Sequence, residues 1–80
     1  MSGERPFPTW YERMGVQFIA QVQGERGFKY EIGIKEDEAG TKYVYIAKVV
    51  PSGNYAKSLM RMPLKVALEV AKIISRLAGQ

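Results

Sequence analysis

Between residues 14 and 62 the chain alternates apolar and polar positions with a period of two, and after Pro63 it changes to a helical period. A period of two marks strands that bury one side. In MGVQFIAQVQ (14–23), Val16, Phe18, Ala20 and Val22 fall on one side and Gln17, Gln21 and Gln23 on the other, with Ile19 out of place on the polar side. FKYEIGIKE (28–36) sets Phe28, Tyr30, Ile32 and Ile34 against Lys29, Glu31, Gly33 and Lys35. A third run, 41–50, carries Tyr43, Tyr45 and Ala47 on one side and Val44 and Ile46 on the other. A fourth, NYAKSLMRM (54–62), groups Tyr55, Lys57, Leu59 and Arg61. Residues 24–27, 37–40 and 50–53 separate the runs; Pro51 and Gly53 sit at the second and fourth places of a type I turn. Such short connections predict an antiparallel meander.

Pro63 suits the first turn of a helix, where no N–H is needed. From there LKVALEVAKIISRLAG reads as helical, with Arg76 in the last turn and Gly79 as C-cap. Lys65, Glu69, Lys72 and Arg76 form a polar stripe about 60° wide, and apolar residues cover about 220°. Packing on one sheet face needs only about 100°. The surplus predicts a symmetric homodimer, with Val66, Val70, Ile73 and Leu77 at the interface. Residues 1–13 read as an N-terminal arm, since Pro6 and Pro8 oppose both helix and ladder. The remainder, 14–80, is then a single domain of α+β class, a four-stranded antiparallel meander followed by one C-terminal helix (ββββα), and dimeric.

One helix covers one sheet face. The aliphatic set Phe18, Ile32, Ile34, Val44 and Ile46 is expected beneath it. Gln17, Gln21, Lys29, Lys35, Tyr43, Tyr45, Lys57 and Arg61 then lie on the open face. A one-residue slip in register would exchange the two faces and put Val44 and Ile46 outside.

Composition narrows the chemistry. Eighty residues are near the size at which a lone hydrophobic core becomes marginal, which again favours oligomerisation. There is no cysteine and no histidine, so disulfides, thiolate or imidazole metal sites and the commonest general base are missing. Hydroxyls are few (Ser2, Thr9, Thr41, Ser52, Ser58, Ser75) and no activating base stands beside them in sequence. No catalytic residue, metal, cofactor or small-molecule substrate is expected. No apolar run reaches membrane-spanning length, and MSGERPFPTW lacks a signal-peptide core, so a cytoplasmic protein with no membrane partner is expected.

The net charge of +4 is unevenly placed. Residues 1–40 hold five Lys/Arg against seven Asp/Glu, whereas 41–80 hold seven against Glu69 alone. A second half at +6 suits a polyanionic partner. Tyrosine rings offer flat surfaces to unstacked bases, and neighbouring cations attract phosphates. Lys29, Lys35, Tyr43, Tyr45, Lys57 and Arg61 are therefore the candidate contacts with single-stranded nucleic acid. Tyrosine is also a good strand former, and lysine guards strands against edge pairing, so each residue taken alone has a structural explanation. Two rival functions stay open: a protein–protein interaction module using the wide helix face, and a duplex-DNA chromatin protein binding by charge alone.

The segment FKYEIGIKEDEAGTKYVYIAKVVPSGNYAKSLMRMPLKVALEVAKIISRL resembles the whirly-like superfamily of single-stranded nucleic-acid binders. The likeness lies in the order of strand, charged turn, aromatic-rich strand, PSGNY turn, strand and helix. Two of its branches are similar: the positive-cofactor-four type of transcriptional coactivator and the bacterial Pur-alpha repeat. The resemblance implies a nucleoid-associated homodimer that binds single-stranded DNA or RNA through basic and aromatic strand residues with little sequence preference, in transcription or genome maintenance.

Overall fold

Thr9 closes a reciprocal cap: its Oγ1 accepts from the Glu12 N–H (3.3 Å), while Glu12 Oε1 accepts from the Thr9 N–H (2.9 Å). The computed structural model describes residues 9–53 and 55–79. Its elements are α1 (Trp10–Met14), β1 (Gln17–Gln23), β2 (Lys29–Glu36), β3 (Lys42–Val49), β4 (Ala56–Pro63) and α2 (Leu64–Ala78). The four strands form one antiparallel sheet in sequence order, and the α+β, ββββα pattern stands. The arm expected over 1–13 ends in a helix, whereas Pro6 and Pro8 lie outside the described residues.

A five-residue helix has no stability of its own. Tertiary contacts hold α1. The Trp10 ring lies 6.4 Å from the Tyr45 ring, and the Tyr11 ring 5.1 Å from that of Phe18. Trp10 Nε1–H donates to Glu31 Oε1 at 2.8 Å. At the other end Lys35 Nζ donates to the Met14 carbonyl (2.8 Å), where the helix dipole favours a cation.

These contacts overturn the expected assignment of the faces. Register pairs Lys35, Gly33, Glu31 and Lys29 with Tyr43, Tyr45, Ala47 and Val49. The buried residues, Val16, Glu31, Gly33, Tyr45, Ala47 and Val49, belong to this tyrosine side, where α1 touches Glu31 and Tyr45. Gly33 lets it close: a Cβ there would stand 2.4 Å from Val16 Cγ1 and 2.9 Å from the Gln17 carbonyl oxygen. Ile19 is explained as well. The β1–β2 register shifts between Phe18 and Ala20, so Ile19 is the extra residue of a bulge. The shift moves Phe18 to the tyrosine side, opposite Gly33, and leaves Ala20 and Val22 on the aliphatic side.

The aliphatic side is not covered by α2. Pro63 both ends β4 and caps α2, so no loop is present to turn the helix back over the sheet. Leu64 and Ala67 are half-buried at the junction, and beyond Ala67 every described residue of α2 is exposed. Ile32, Ile34, Val44 and Ile46 remain half-buried. The radius of gyration is 14.1 Å, against about 12 Å for a compact domain of this length.

Replacing Trp10 with Phe keeps most of the ring but leaves the buried Glu31 carboxyl without its donor. The expected cost is about 1–3 kcal/mol, read from the urea midpoint at unchanged slope. An unaltered midpoint would show that α1 does not seat on Glu31.

Candidate nucleic-acid interface

The sheet separates the candidate contacts into two groups. Tyr45 is only 5% exposed, under Trp10, and offers no ring face to a base. Tyr43 is half-buried, with Arg61 Cζ 4.4 Å from its ring centroid. Lys35, paired with Tyr43, is committed to the Met14 carbonyl. Lys29 lies six residues along β2 from Lys35, roughly 20 Å away at strand rise. Lys57 is exposed, at the same end of the sheet as Lys29, with its Nζ 5.5 Å from the Phe28 ring centroid.

That end of the sheet is where rings and cations converge. Phe28 is half-buried, and Lys48 Nζ stands 4.7 Å from its centroid and 5.8 Å from that of Tyr30. Two ammonium groups therefore share one phenyl ring. The β1–β2 turn places them. Arg26 has a left-handed φ of 54°, and Gly27 follows at 80°. A Cβ on Gly27 would stand 3.3 Å from Pro51 Cβ, so this turn rests against the turn after β3. Tyr55, just past that turn, is 61% exposed.

Glu25 organises the cluster. Its carboxylate pairs with Lys48 Nζ at 2.8 Å and accepts from the Tyr30 hydroxyl at 3.1 Å. Hydrogen bonding from Lys48, then from its own turn's backbone and from Tyr30, lowers the Glu25 pKa from 4.5 to about 2. The same hydrogen bond raises the pKa of Lys48. Among the described residues Lys57 has no carboxylate partner, which leaves its charge available to an incoming anion.

Beside the rings, Tyr30, Ile46, Lys48, Ser58, Leu59 and Met60 line an open hollow of about 170 Å³. Small-molecule pockets are generally larger, from about 300 Å³. Among the described residues no group of acidic side chains is arranged to hold a metal ion, and no helix is long and apolar enough to cross a membrane.

Sequence reasoning missed Phe28, Tyr30 and Lys48, because the alternation assigned Phe28 and Tyr30 to a covered face. The missing signal was countable. Once residues 37–41 close a hairpin between Glu36 and Lys42, pairing in step sets Tyr30 opposite Lys48. No known protein family, curated protein or solved structure matches the chain.

Because the folded pKa of Glu25 is depressed, its contribution to stability is present above pH 4.5 and is lost as pH falls through about 2. Carboxyl titration by NMR is expected to find Glu25 still ionised well below pH 4.5. Lys48→Ala is expected to return its midpoint toward 4.5. A Glu25 midpoint indifferent to Lys48 would refute the pairing.

Proposed function

We propose that the protein is a non-catalytic, single-stranded DNA- or RNA-binding protein with little sequence preference, acting in transcription or genome maintenance in the cytoplasm at the nucleoid. The observation that carries this reading is the half-buried Phe28 ring flanked by Lys48 and Lys57 at the open end of the sheet. A base stacking on that ring would displace the ammonium groups outward, toward the phosphates on either side. Ring stacking contributes about 1–3 kcal/mol per base and is indifferent to base identity. The strongly cationic second half of the chain supplies the long-range attraction. The whirly-like resemblance points the same way.

The reading changes which residues matter. Phe28, Lys48 and Lys57 form the centre, Lys29 and Arg26 flank it, and Tyr43 with Arg61 forms a separate, peripheral contact. Lys35 and Tyr45 serve the fold. Glu25 restrains the site, because it holds one of the two central cations and adds a negative charge of its own.

Fluorescence polarisation with matched single-stranded and duplex oligonucleotides, across a salt series, tests the proposal. Single strands are expected to bind more tightly than duplex. Lys57→Ala is expected to lower the single-strand salt slope by about 0.7. Phe28→Ala is expected to cost about 1–3 kcal/mol of binding, and Glu25→Gln to tighten binding by freeing Lys48. Equal binding of duplex and single strand, falling steeply with salt, would favour the chromatin reading. No binding at low salt would favour a protein-interaction module.

A further inference from the structure

We infer that the hollow beside the Phe28 ring is a seat for one pyrimidine base of a bound single strand. This rests on the nucleic-acid reading above and sharpens it: preference is confined to one position of the strand and to one class of base.

The hollow follows from how two rows of side chains cross the sheet. Tyr30, Lys48 and Ser58 stand opposite one another on β2, β3 and β4, and Ile46 pairs with Met60 in the next row. Lys48 turns its ammonium to Glu25 at 2.8 Å, and Ser58 ends at its hydroxyl, so neither fills the space between the rows. What remains is an opening of about 170 Å³, lined by these five residues and Leu59.

Its size suits one ring. A cavity of about 150 Å³ holds benzene, so this one takes a single six-membered ring, whereas the two fused rings of a purine overfill it. Its chemistry suits a base more than a hydrocarbon. Ile46 and Met60 supply apolar surface, and a thioether makes favourable contact with an aromatic ring. The Lys48 stem adds a further apolar wall while its head stays in water. The Ser58 hydroxyl is a donor for carbonyl O2, which every pyrimidine base carries and adenine lacks.

Two further observations tie the hollow to the proposed binding site. Lys48 Nζ stands 4.7 Å from the Phe28 centroid and 5.8 Å from that of Tyr30, so it borders both the stacking ring and the hollow. A strand with one base on Phe28 carries its next base to that border. The Tyr30 hydroxyl donates to Glu25 at 3.1 Å, which fixes the ring wall before any ligand arrives.

Fluorescence polarisation with deoxythymidine, deoxycytidine and deoxyadenosine homopolymers of equal length, at one salt concentration, tests the inference. Both pyrimidine strands are expected to bind about threefold to tenfold more tightly than the adenine strand. A single deoxycytidine placed within the adenine strand is expected to recover most of that difference, because one base fills the hollow. Ser58→Leu, which fills it from the protein side, is expected to erase the preference. Equal binding of all three homopolymers by the wild-type chain would overturn the seat and leave the proposed function standing. A preference that grows evenly with pyrimidine content, or survives in Ser58→Leu, would trace to stacking within the free strand and would also overturn it. Absence of binding to every strand would overturn the proposed function, and the seat with it.

Discussion

The seat of Trp10 on the tyrosine side of the sheet is the contact on which the rest of the molecule depends. Its indole lies tilted against Tyr45 and donates to Glu31, and Lys35 ties down the far end of the same short helix. A four-stranded sheet has two faces, and a chain of this length has little material to cover them. The buried apolar residues of the sheet, Tyr45, Ala47 and Val49, all lie on that side. The aliphatic side is then left for something else, and α2 is carried away from it by the Pro63 junction.

This division also relocates the chemistry. Tyr45, buried in the middle of the covered face, offers no ring to a base. Under the proposed function the receiving ring is at the end of the sheet, where two turns abut and Lys48 of β3 and Lys57 of β4 both approach Phe28, just ahead of β2. Glu25 stands there as an internal anion on one of the two cations, while the other has no carboxylate partner among the described residues. On the proposed function, a base would stack on the Phe28 ring while the phosphates on either side meet Lys48 and Lys57.

Much of the fold was legible in the sequence. Alternation located four strands, the Pro51–Gly53 turn forms with Gly53 N–H donating to the Val50 carbonyl at 2.8 Å, and the helix ends at Gly79. Orientation was not legible. Val44 and Ile46 looked like the covered set because aliphatic side chains prefer burial, yet what decides the matter is which element is available to cover each face. The short helix at Trp10 gives a weak periodic signal, and its capping box, Thr9 with Glu12, was readable but adjoined two prolines. Ile19 marked the bulge, as the one residue that broke the alternation. The zero-length β4–α2 connection was visible at Pro63, but its consequence for α2 required the backbone.

The central claim is that nucleic acid binds at the Phe28 end and not over the tyrosines. Following the backbone amides and the Trp10 indole N–H of isotope-labelled protein by NMR, during titration with an unstructured oligonucleotide, tests it most directly. Shifts confined to residues 24–30, 48–53 and 55–58, with the Trp10 indole resonance unmoved, are the result expected. Movement of the Trp10 indole together with amides around Tyr43 and Tyr45, and none at Phe28, would contradict the account.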